Sequence, residues 1–256
     1  MEIGLVLSGG GIRGMAHLGV IKALEEKGIR FSQVSGVSAG SIIGAFYCQG
    51  YTPDEILAII EKTSLYKVVR PAISWRGLLK LDKVMNEFKS FFEEDSFASL
   101  KIPLHISATD VTNGTVRYFN EGPLFRAILA SSSIPIVFDP VMIDETYYID
   151  GGILNNLPVE PVKDICDRII GIHTNPVGIT NGAINMKMLM ERSLLLAINC
   201  NIEARKGLCD LFIEPTGLDK FGVFDIKKAK DIFEIGYNFT HKLFEDDASL
   251  EELFKT

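Results

Sequence analysis

Twice in its first fifty residues the chain runs an apolar stretch of strand length into a glycine turn and straight on into helical spacing. Ile3–Leu7 ends in Ser8-Gly9-Gly10-Gly11, and from about Met15 to Lys27 the residues Leu18, Ile21 and Leu24 recur at helical intervals, with Gly28 at the cap. Val34 and Val37 then lead into Gly36-Val37-Ser38-Ala39-Gly40, and a second helix starts near Ala39. Strands that alternate with helices build a largely parallel sheet covered by the crossover helices.

The rest of the chain keeps this rhythm. Thr52-Pro53-Asp54-Glu55 is a capping box with proline at the first helical position, opening a helix over Ile56, Ile59 and Ile60. Leu81–Phe92 carries a helical stripe, and the strand-like runs Leu104–Thr109 and Thr115–Phe119 join through the hairpin signal Asn113-Gly114. Leu124–Leu129 suits a helix, Tyr147–Ile149 and Ile169–His173 strands, Ser193–Glu203 a helix, Asp210–Glu214 a strand and Ile226–Leu243 a final helix. No Pro/Gly/Ser linker and no repeat interrupts residues 1–256, so one α/β domain with a central, mostly parallel sheet is expected.

Composition narrows the function classes. With 26 basic against 33 acidic residues the net charge is −7, which argues against a nucleic-acid binder. Cys48, Cys166, Cys200 and Cys209 show no C-x-x-C spacing, and Met1-Glu2 lacks the basic start of a secretory signal, so free thiols and a cytoplasmic location are expected. No His/Cys/Asp/Glu cluster has ligand spacing, so neither metal nor cofactor is expected. The uncharged stretch Phe31–Pro53 is as long as a membrane span, but glycines at 36, 40, 44 and 50 fit a strand, a turn and a buried helix better.

Gly9-Gly10-Gly11-Ile12-Arg13-Gly14 satisfies G-x-G-x-x-G between a strand and a helix. A dinucleotide site would also need an acidic residue near the end of the next strand, yet positions 29–37 contain none. The same turn can present backbone amides to another anion, the oxyanion formed during ester hydrolysis. Gly36-Val37-Ser38-Ala39-Gly40 is the G-x-S-x-G pattern of a nucleophile elbow, against which stands a simple packing turn. A serine needs a base. His17, His105, His173 and His241 are the histidines, and His173, at a strand end beside Asn175-Pro176, best suits a conventional triad. The alternative base is Asp150, followed by Gly151-Gly152 and then Asn155-Asn156-Leu157-Pro158; partial burial beside Ser38 would raise its pKa and strengthen it as a base.

Four blocks taken together, Ser8–Gly14, Gly36–Gly40, Ala130-Ser131-Ser132-Ser133-Ile134-Pro135 and Asp150–Pro158, resemble the patatin-like phospholipases. They span roughly residues 4–160, in the family's order. The resemblance implies a three-layer α/β/α fold and a serine acyl hydrolase that cleaves lipid esters through an acyl-enzyme. It implies Ser38 as nucleophile, Asp150 as its base without a histidine, and Gly9, Gly10 and Gly11 as the oxyanion hole. Arg13 matches the family's arginine in the glycine loop, with a stabilising role near the anion, and Gly36, Gly40, Gly151 and Gly152 support the two turns. The alternative is a catalytically idle lipid-binding or regulatory module with the same fold.

Residues 62–89 are locally basic, with Lys62, Lys67, Arg70, Arg76, Lys80, Lys83 and Lys89 around Trp75, Leu78, Leu79 and Leu81. Within a cap spanning 62–100, this segment either meets an anionic lipid surface peripherally or forms a solvated lid with its apolar residues turned inward.

Overall fold

The computed structural model describes residues 1–63, 82–135, 137–178, 185–223 and 225–254. Its strands are β1 (Ile3–Leu7), β2 (Gln33–Val37), β3 (Leu104–Asp110), β4 (Thr115–Phe119), β5 (Val141–Ile143), β6 (Thr146–Asp150), β7 (Arg168–Ile172) and β8 (Leu211–Ile213). The helices among the described residues are α1 (Met15–Glu26), α2 (Ala39–Gln49), α3 (Pro53–Lys62), α4 (Asp82–Lys89), α5 (Leu124–Ser132), α6 (Met186–Lys206), α7 (Ala229–Asp246) and α8 (Ser249–Leu253).

All strands join one sheet in the order β5-β6-β3-β2-β1-β7-β8, with β4 paired to β3. The centre, β3-β2-β1-β7-β8, is parallel throughout. A parallel sheet covered on both faces demands apolar residues on both, and every residue of β1 is buried. Leu5 and Leu7 enter the core cluster shared with Leu18, Ile43 and Phe233 of α1, α2 and α7. Val6 points the other way, to Leu157, Val159, Val162 and Ile202 of α6. Helices on both faces of a mixed, mostly parallel sheet give the three layers that the resemblance implied.

The stretch Phe31–Pro53 resolves into β2, a turn and α2, as expected. The capping box at Thr52 is formed, Glu55 N–H donating to Thr52 Oγ1 at 3.3 Å and Thr52 N–H to Glu55 Oε2 at 2.8 Å. The helix expected over 193–203 is longer, running from Met186 to Lys206. The strand expected at Tyr147–Ile149 is present within β6 and forms one arm of the β5–β6 hairpin. That hairpin turns through Asp144 and Glu145, both at positive φ (46° and 64°), without the Asn or Gly that normally marks such a turn.

The antiparallel arm sets up the site. β4 occupies one edge of β3 from Ile106 to Asp110. On the other edge β2 pairs up to Val37↔Ser107, and β6 takes over at Asp150↔Ala108. β6 runs against β2, so the C-terminal ends of the two strands meet head to head.

Candidate active site

Ser38 sits at the junction of β2 and α2 with φ 53° and ψ −123°. That conformation costs a non-glycine residue about 1–3 kcal/mol and survives only where the surroundings impose it. Here they do. Ser38 N–H donates to Ser131 Oγ at 2.9 Å, and Ser131 Oγ–H donates to the Ser107 carbonyl at 2.7 Å. The Ser38 carbonyl accepts from Ser41 N–H at 2.9 Å and Ser41 Oγ at 2.7 Å. Gly36 and Gly40 let the backbone close around this turn: a Cβ at Gly36 would lie 2.5 Å from the Gly40 carbonyl oxygen, and one at Gly40 2.4 Å from that of Leu7. Both flanking positions of the G-x-S-x-G pattern therefore exclude any side chain.

Asp150 ends β6 opposite the elbow, buried; its carboxylate accepts a hydrogen bond from Gly152 N–H at 2.8 Å, and the Ser38 side chain lies near enough to favour the ionised form. Burial pushes the Asp150 carboxyl up from 3.8 to about 6, against the opposing pull of Ser38 and the Gly152 amide. A carboxyl shifted this way is a stronger proton acceptor once ionised. Gly151 packs on the Ser107 carbonyl, where a Cβ would lie 2.3 Å away.

The glycine turn lies beside the elbow, with Gly9 against Ser38: a Cβ there would be 3.0 Å from Ser38 Cβ. The amide of Gly9 donates to Asn156 Oδ1 at 3.0 Å. Among the described residues the amides of Gly10 and Gly11 have no such partner, which makes them the available donors of the turn. Arg13 faces elsewhere. Its Nε donates to the Phe221 carbonyl at 2.8 Å, and its terminal nitrogens reach Asn175 Oδ1 (2.9 Å) and the carbonyls of Pro176 and Asp219. The buried guanidinium thus ties the glycine turn to the C-terminal third of the chain. Burial lowers its pKa, with Asp219 partly offsetting that shift.

The histidines are engaged away from Ser38. His173 Nδ1 contacts Glu214 Oε2 at 2.6 Å, His241 contacts Glu26 at 2.9 Å and His105 contacts Gln33 at 3.4 Å. His17 is fully buried, contacts the Ser8 carbonyl at 2.8 Å and is pushed down to about 3 by burial, so it stays neutral. Three side chains to which no sequence motif assigns a role, Ser131, Asn156 and His17, brace the turns that carry the site. Among the described residues no group of three or more His, Cys, Asp or Glu is placed to hold a metal. Of the basic segment 62–89, residues 64–81 lie outside the described residues; Lys62 closes α3, and Lys89 pairs with Asp95 at 3.1 Å.

Sequence comparison places the chain in a family. The profile described as Patatin-like phospholipase matches residues 5–163. The chain belongs to the patatin-like phospholipase family. An uncharacterised NTE-family protein of Mycobacterium tuberculosis is 34% identical over 179 residues, covering 68% of this chain and 49% of that protein. A protein of Scheffersomyces stipitis named lysophospholipase NTE1 is 27% identical over 94% of this chain, which matches 18% of its length. The chain therefore spans half or less of these curated relatives. Among solved structures, VipD from Legionella pneumophila superposes with a TM-score of 0.55 at 16% identity, over 96% of this chain and 67% of that one. The fold shared with VipD extends past residue 163, to the segment that Arg13 engages. No helix among the described residues is long and apolar enough to cross a membrane.

Proposed function

We propose that this patatin-like phospholipase is a serine acyl hydrolase acting on carboxylic esters of lipids, with Ser38 as nucleophile and Asp150 as its base. The observation that carries the reading is the approach of the Ser38 side chain to the buried Asp150 carboxylate, close enough to favour its ionised form, at the point where β2 and β6 meet. Asp150 takes the hydroxyl proton as Ser38 Oγ attacks the ester carbonyl. The Gly10 and Gly11 amides hydrogen-bond the oxyanion, and the positive end of α2, which begins at the next residue, stabilises the negative charge there. Collapse expels the alcohol or lysolipid, which takes the proton back from Asp150. Water, giving a proton to Asp150, then attacks the acyl-Ser38 ester, and the fatty acid is released as the Ser38 oxygen takes that proton back.

Lipid as the substrate class rests on the family and on the lysophospholipase name carried by the Scheffersomyces relative. The segment 62–89, with its seven basic residues, is the proposed peripheral contact with an anionic lipid surface of the cytoplasm. The test is hydrolysis of a short p-nitrophenyl ester by the wild type, Ser38→Ala, Asp150→Asn and His173→Gln. Ser38→Ala and Asp150→Asn are expected to be inactive and His173→Gln active. Turnover by Ser38→Ala would refute the proposal, and a folded but inert wild type that still binds vesicles would support the non-catalytic lipid-binding alternative.

A further inference from the structure

We propose that His17 and Asn156 are positioning residues of the oxyanion turn: they grip the carbonyl and the amide of a single peptide unit, Ser8–Gly9, and so aim the amides that follow it. The inference rests on the Ser38–Asp150 reading above. The Ser8 carbonyl faces His17 Nε2 at 2.8 Å, and the Gly9 amide faces Asn156 Oδ1 at 3.0 Å. A carbonyl oxygen only accepts and an amide N–H only donates, so both contacts fix the chemical state of the side chain. His17 carries its proton on Nε2, and Asn156 turns its oxygen toward Gly9.

This arrangement leaves His17 Nδ1 and Asn156 Nδ2 buried without a hydrogen-bond partner among the described residues. Unpaired buried polar atoms destabilise a fold, so packing alone gives no reason for these two residue types here. What they supply is a peptide plane pinned at both ends. A run of three glycines has no side chain to restrict its own dihedrals, so its orientation must come from outside. Further contacts hold the same unit: Ser8 N–H donates to the Ile172 carbonyl at 3.1 Å, and Thr174 N–H donates to Ser8 Oγ at 3.0 Å.

Asn156 also sets the glycine turn against the base turn. A Cβ at Gly152 would lie 2.8 Å from Asn156 Oδ1 and 3.0 Å from Asp150 Oδ1, so the carboxamide sits beside the base it does not bond. Its backbone N–H is held in turn by Asn201 Oδ1 of α6 at 2.8 Å. One side chain thereby registers two segments 147 residues apart.

Two variants at position 17 test the idea with one chemistry at two lengths. The His17→Gln carboxamide nitrogen reaches the Nε2 position, and that of His17→Asn stops short of it. The readouts are kcat and KM for a p-nitrophenyl ester, and the affinities of a trifluoromethyl ketone, which adds Ser38 to form an oxyanion, and of the matching unreactive methyl ketone. A misplacement of ångström size in a catalytic site lowers rate by on the order of 10²-fold. His17→Asn and Asn156→Ala are therefore expected to lower kcat by about 10–100-fold with KM nearly unchanged. They are expected to weaken the trifluoromethyl ketone in proportion and leave the methyl ketone alone, because only the former resembles the transition state. His17→Gln is expected to recover at least about tenfold of the loss. Equal kcat for His17→Asn and His17→Gln, or a kcat loss with unaltered trifluoromethyl ketone affinity, would overturn the proposal. Ser38→Ala, measured alongside, separates the two levels: activity in that variant removes the dyad, while its inactivity with indifferent His17 variants removes only the clamp.

Discussion

Replacing Asp150 by asparagine should abolish turnover and, at neutral pH, make the protein more stable. The folded carboxyl titrates near 6 and its ordinary value is 3.8. Above about pH 6 both folded and unfolded chains carry the ionised group, and the folded one holds it desolvated. The pKa difference of 6 − 3.8 = 2.2 corresponds to about 3 kcal/mol of stability forgone there. As pH falls from about 6 toward 3.8, the folded chain binds a proton that the unfolded chain does not, so stability from this group rises; below 3.8 it levels off. The asparagine side chain is neutral throughout and lacks this dependence. The assay is thermal or denaturant unfolding of both proteins across about pH 4.5–8, read as a difference so that the other titrating groups cancel. At about pH 8 the variant should be the more stable, by up to about 3 kcal/mol or several degrees in Tm, with the gap closing as pH drops through the window. A gap of constant size across the range would refute the claim that burial of a charged Asp150 is what the site sustains.

Other outcomes follow from the same geometry. The kcat/KM of the wild type should be flat above about pH 6 and fall about tenfold per unit below it, as a pH profile on a neutral ester will show. Ser38→Gly should be more stable than Ser38→Ala by about 1 kcal/mol in denaturant melts, since only glycine relieves the φ of 53°. Gly40→Ala should fail to fold or lose several kcal/mol, because its Cβ would lie 2.4 Å from the Leu7 carbonyl oxygen. Arg13→Met should lose about 3 kcal/mol of stability with its ties to Asn175, Pro176, Asp219 and Phe221, while kcat at low temperature stays near wild type; a collapsed kcat with unchanged stability would restore the anion-stabilising role to Arg13.

What could be read from the sequence was what backbone geometry demands locally. Gly36 and Gly40 are obligatory because main chain packs on main chain there, and that demand leaves a residue-type signature. The same holds for the capping box at Thr52 and for the all-apolar β1. The β5–β6 hairpin was not legible, because Asp144 and Glu145 adopt a glycine-type turn without glycine. Nor were the partners of Arg13, whose carbonyl acceptors lie 163 to 208 positions away and carry no side-chain signature at all. Asn156 stood in plain sight beside the Asp-Gly-Gly turn, but its tie to Gly9 spans 147 residues and depends on how β1 and β6 end in the sheet.

The most direct test is to locate the reactive side chain chemically. Incubation with a fluorophosphonate followed by peptide mass mapping should find a single adduct, on Ser38, whose formation rate falls below about pH 6 and is lost in Asp150→Asn but kept in His173→Gln. An adduct on another residue, or labelling that depends on His173 and ignores Asp150, would contradict the account.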